Sequence, residues 1–101
     1  MSESRPYKEI THENCVIRMF SPDVEFEDLK WHRDREDRWV SPLNDNDWSY
    51  QEDNKLPIPL NQKIFIKEGV WHRVIKGTTD LKVLIEKKPS QELGFFIEYN
   101  I

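Results

Sequence analysis

A chain of 101 residues with no apolar run near the roughly 20 residues of a membrane-spanning helix reads as one domain that has no membrane partner. Charged residues make up 34% and hydrophobic ones 37%, yet four Trp, five Phe and three Tyr supply more core-formers than a disordered chain carries. A net charge of −4, with 15 Lys and Arg interleaved among 19 Asp and Glu, lacks the basic field of a nucleic-acid binder, so no nucleic acid is expected either.

Residues 1–12 read as a polar arm. The first twenty residues carry charges throughout, so no secretory signal is expected there. Lone Cys15 cannot form an internal disulfide and reads as a packed thiol, which places the protein in a reducing compartment, the cytoplasm. Residues 13–88 read as one β-barrel domain. There is no alanine and there are only three glycines, while Val, Ile and aromatic residues recur in short runs between turn signals. Strands are predicted at Cys15–Phe20, Lys30–Asp34, Arg38–Leu43, Trp48–Gln51, Leu56–Leu60, Lys63–Ile66, Trp71–Ile75 and Leu81–Glu86. Pro57 and Pro59 mark the fifth run as an edge or an extended link. Beyond Glu86 a linker is expected, and residues 89–101 carry a last apolar strand, Phe95–Tyr99, expected to dock. Exposed strand edges and the aromatic residues Trp31, Trp39, Trp48 and Trp71 point to core or interface packing and to a homodimer.

The histidines carry the chemistry. On a strand, His32, Asp34, Glu36 and Arg38 share one face, and Trp31, Arg33, Arg35, Asp37 and Trp39 share the other. If the first face looks into a barrel, an imidazole and a carboxylate converge there, and His72 from a neighbouring strand completes a three-ligand set. The competing reading is a metal-free hydrogen-bonded network with Asp34 held by Arg38. Glu36 is a rival ligand if a bulge turns it inward, and otherwise an outer acid. His12, in the polar arm, reads as an exposed residue.

The spacing resembles the two motifs of the cupin superfamily, small double-stranded β-helix barrels of the jelly-roll kind. The first motif's Gly, His-X-His, Glu and Gly positions fall on Phe26, His32, Asp34, Arg38 and Asp45. The second motif's Gly, Pro, Gly, His and Asn positions fall on Asn61, Lys67, Gly69, His72 and Lys76. More narrowly, Trp31–Arg38 and His72–Gly77 resemble short cupin-like proteins encoded by tailed phages of marine bacteria, for which the compartment would be the host cytoplasm. The resemblance implies an all-β barrel with a divalent transition metal (Fe, Mn, Ni or Zn) on His32, Asp34 and His72. Two imidazoles and one carboxylate form the facial set of non-haem iron sites, and if chemistry follows, an oxygenase or isomerase is the expectation. Arg38 stands where cupins carry a Glu ligand. Its planar fork suits an oxyanion, so Arg38 and Tyr50, with Glu36 beside them, are expected to hold a small anionic molecule. Two alternatives stay open: a metal-free barrel binding a small molecule, and a structural or host-interaction protein that uses the barrel as a scaffold.

Overall fold

Alternating apolar residues close into two antiparallel sheets in the computed structural model, which describes residues 5–88. Eight strands follow in chain order: β1 (Lys8–His12), β2 (Cys15–Phe20), β3 (Asp37–Pro42), β4 (Ser49–Glu52), β5 (Ile58–Pro59), β6 (Ile64–Ile66), β7 (His72–Ile75) and β8 (Leu81–Lys88). One sheet has the order β1-β2-β8-β3-β6 and the other β5-β4-β7. The architecture is the predicted all-β one, with a short 3-10 turn at Phe26–Asp28 as the only helical piece among the described residues.

The period-2 pattern explains the core. Along β8, Leu81, Val83 and Ile85 are buried while Lys82 and Glu86 are exposed. Val16, Ile85, Val40 and Ile64 stand abreast across β2, β8, β3 and β6, so one row of branched side chains faces inward. Tyr50, Leu60 and Trp48 close the core from the side of the smaller sheet. Burying each such side chain contributes about 1.5–3 kcal/mol. Trp48 is 1% exposed, and its indole N–H is satisfied by the carbonyl of Thr79 at 2.6 Å.

Several expectations are corrected. Lys8–His12, inside the expected arm, pairs with β2 through a two-residue turn at Glu13 and Asn14, with Glu13 at φ 49°. Its side chains are mostly exposed, so no apolar alternation marked it; the strand rests on ladder hydrogen bonds. The strand expected over Lys30–Asp34 shrinks to a single bridge between His32 and His72. β8 runs to Lys88, past the expected end at Glu86. Of the four tryptophans expected in core or interface packing, Trp48 lies in the core, while Trp31, Trp39 and Trp71 are exposed. The expected segment 89–101 and its strand Phe95–Tyr99 lie outside the described residues. Among the described residues, no helix is long and apolar enough to cross a membrane.

Candidate metal centre

The tripeptide Trp-His-Arg occurs twice, at residues 31–33 and 71–73, and the fold lays the two copies side by side. The N–H of each histidine donates to the carbonyl of the other at 2.9 Å. Antiparallel pairing sets Trp31 opposite Arg73 and Arg33 opposite Trp71. On the outer face the Arg73 guanidinium lies 4.6 Å from the Trp31 ring centre, and that of Arg33 lies 5.1 Å from the Trp71 ring centre. The imidazoles occupy the inner face, with ring centres 4.3 Å apart. This repeat was the missed signal in the sequence, since it marks two segments built to pair.

The turn before β7 ties in the third residue. Val70 N–H donates to the Lys67 carbonyl at 3.2 Å, and Gly69 takes φ 82°, a conformation that glycine adopts without strain. Gly69 N–H then donates to the Asp34 carbonyl at 3.0 Å, and Glu68 N–H to Asp37 Oδ1 at 2.9 Å. Asp34 is thereby fixed beside His72, although its own segment is not a strand.

Nδ1 of His32 lies 2.9 Å from the Lys30 carbonyl, and Nδ1 of His72 lies 2.8 Å from that of Val70. A carbonyl only accepts, so each Nδ1 carries a proton, and a neutral ring then has its lone pair at Nε2. One ligand atom from each of His32, Asp34 and His72 fits within 4.8 Å of the others. Asp34 Oδ2 is buried without a hydrogen-bond partner, and His72 Nε2 lies 3.4 Å away. The buried site thus sets acceptor against acceptor, which a cation between them resolves. Burial holds the His72 pKa below its ordinary value. The nearby His32 and Arg38 act in the same direction, while the Val70 hydrogen bond and the Asp34 charge oppose it.

Arg38 is kept to one side. Its Nε–H donates to Glu36 at 2.7 Å, and one Nη lies 3.4 Å from Asp34 Oδ1, whereas Oδ2 is the oxygen paired in distance with His72. Glu36 is not among the residues lining the cavity, and its carboxylate lies 2.7 Å from Arg38 Nε. Tyr50 does line the cavity, and its hydroxyl donates to Glu52 at 3.1 Å, a partner that no sequence signal marked. Burial first, and then the Glu52 charge, pushes the Tyr50 pKa up, so the phenol stays protonated. The cavity holds about 360 Å³ and is walled by Phe20, Leu29, Val40, Ile66, Leu81 and Val83 among others. Buried His72 and half-buried Asp34 line it, and His32 is the exposed member of the three.

No protein-family description matches the sequence, and no curated protein does. Solved structures do match. A cupin domain of Bordetella pertussis superposes with a TM-score of 0.54 at 23% identity, covering 86% of this chain and 99% of its own. A protein of Neisseria meningitidis gives 0.55 at 16% identity, covering 87% of this chain and 89% of its own. HppE in its iron(II) form, which has also been solved with cobalt(II), gives 0.58 at 17% identity, covering 81% of this chain but 48% of its own. Two antiparallel sheets and these superpositions give this chain the fold of a cupin domain.

Proposed function

We propose that the barrel binds one divalent transition metal through Nε2 of His32, Nε2 of His72 and Asp34 Oδ2, and holds a small anionic molecule beside it. The observation that carries this reading is the unpartnered Asp34 Oδ2, buried and facing a histidine nitrogen that has no proton to give. Both ligand histidines already donate their far ring N–H to a backbone carbonyl, the outer-shell arrangement that orients metal-binding imidazoles. Two nitrogens and one oxygen suit iron, manganese, nickel or zinc. HppE, a fold neighbour, carries iron(II) or cobalt(II).

A bound dication, held by His32, Asp34 and His72, would supply Lewis acidity. The chain's own residues do the rest. Glu36 draws the Arg38 guanidinium off the histidines, which limits its repulsion of a dication. Arg38 in turn lines the cavity with its N–H donors, beside a wall that is largely apolar. Exposed His32 leaves one side of the set open to entry.

A metal-free barrel is the second reading, supported by the contact between Arg38 and Asp34. Elemental analysis of protein purified without an affinity tag separates the two. About one equivalent of transition metal in the native chain, lost when His32, Asp34 and His72 are all replaced by Ala, is the expected result. Equal metal content in both proteins would reject the site.

A further inference from the structure

We infer that the molecule held beside the metal is an apolar monocarboxylate, and that it and the metal strengthen each other's binding. This rests on the metal reading above. Charge balance inside the barrel comes first. Asp34 and Glu36 face the single guanidinium of Arg38, so with neutral histidines the cavity end carries one excess negative charge. Glu52 stays out of this balance, because Lys55 meets it at 3.2 Å, and Asp28 and Lys30, which also line the cavity, cancel in charge. Arg18 is likewise matched by Glu9 at 2.7 Å. In that state the site repels an anion. A dication on His32, Asp34 and His72 reverses the excess to one positive charge, and a single monoanion then closes it. Uncompensated charge beside an apolar wall is costly, so the metal makes the place for the anion and the anion relieves the metal.

The remaining contacts define the rest of the molecule. Glu36 takes the Arg38 Nε–H and Asp34 faces one Nη, which leaves further N–H donors on the fork for an oxyanion. Tyr50 directs its hydroxyl to Glu52, and away from the histidine end the wall is largely hydrocarbon, including Phe20, Val40, Ile66 and Val83. A ligand with hydroxyls along its length would leave them unpaired there. A volume of about 360 Å³ has room for a short alkyl or aryl tail.

Calorimetric titration of Mn(II) with and without hexanoate tests this, with hexanol as the uncharged isostere and succinate as the dianion. Hexanoate is expected to tighten Mn(II) binding at least tenfold. Mn(II) must tighten hexanoate by the same factor, since the coupling is reciprocal. Hexanol and succinate are expected to change Mn(II) affinity less than twofold. Arg38→Gln removes a positive charge beside the dication, so it is expected to tighten Mn(II) binding without hexanoate and to lose the hexanoate effect; Arg38→Lys, which keeps the charge, serves as a second variant and should retain part of that effect. Mn(II) binding that ignores hexanoate, or responds equally to hexanol, overturns this inference and leaves the metal site standing. Failure to bind Mn(II), Fe(II), Ni(II) or Zn(II) with any of these additives removes both.

Discussion

Asp34 shows how much one side chain decides. Its Oδ1 faces Arg38 and its Oδ2 faces a bare histidine nitrogen, so without a metal one lone pair opposes another. An amide at this position keeps the shape and can turn an N–H towards His72. Asp34→Asn is therefore expected to raise the thermal midpoint of the chelator-treated protein by about 4–8 °C, the equivalent of about 1 kcal/mol for one new buried hydrogen bond. The same change should weaken metal binding about 100-fold. A lowered midpoint in chelator would show that Arg38 alone satisfies the carboxylate. Gly69 offers a contrasting test, since a Cβ there meets nothing within 4 Å and only its φ of 82° resists substitution. Gly69→Ala should cost about 1–2 kcal/mol in thermal denaturation, with reduced metal affinity because Gly69 N–H holds the Asp34 carbonyl. His32, Asp34 and His72 were legible from spacing because alternation needs only the direction of the side chains. For Glu36 the sequence left two readings, rival ligand or outer acid, because a guanidinium two residues away competes for its carboxylate.

At the scale of elements, the strands found from sequence are those that bury alternate side chains. β2 and the start of β8 were legible to the residue because Val16, Phe20, Leu81, Val83 and Ile85 mark the inward face. β1 was not, because its stability comes from backbone pairing at an edge, where composition is free. The segment before β3 failed differently: inward alternation of His32 and Asp34 survived, yet only one backbone rung forms, and turn contacts replace the ladder. Another join of this kind can be tested by pH. Asp47, between β3 and β4, accepts from Thr78 N–H at 2.8 Å and Thr78 Oγ1–H at 2.6 Å, in the loop between β7 and β8. Those bonds, the Thr78 hydroxyl foremost, hold its pKa below the ordinary 3.8. A depressed carboxylate stabilises the fold fully above its unfolded pKa, and the contribution is lost as pH falls below 3.8. Asp47→Asn is expected to lower the urea midpoint at about pH 6 and to flatten its decline between about pH 5 and pH 3. Parallel curves for the two proteins would show that this clasp does not report on folding. Gly77→Ala gives an independent check: a Cβ there would overlap the Asp47 carboxylate and backbone, so it should destabilise more than Gly69→Ala does.

For the whole molecule, the resemblance to cupin motifs gave the architecture because a double-stranded β-helix is specified by a periodic pattern of inward residues and turns, spread over most of the chain. Ligand identity is not spread in this way, so it must be tested on the folded barrel as a unit. A metal bound only by the native state stabilises it by mass action, about 2.7 kcal/mol at a free concentration 100 times Kd. For a domain of this size that corresponds to a rise of roughly 10–20 °C in thermal midpoint. Zn(II), Ni(II), Mn(II) or Fe(II) should produce such a rise, increasing with metal concentration. The donor set predicts no such rise for Mg(II) and Ca(II), which are hard cations that prefer oxygen, whereas two of the three ligands here are imidazole nitrogens. The His32, Asp34, His72 triple Ala variant should lose the response to all four transition metals while keeping its far-UV circular dichroism. An equal shift with Mg(II), or a shift that persists in the triple variant, would move the metal to surface carboxylates and leave the inner histidines as a pairing device between two strands.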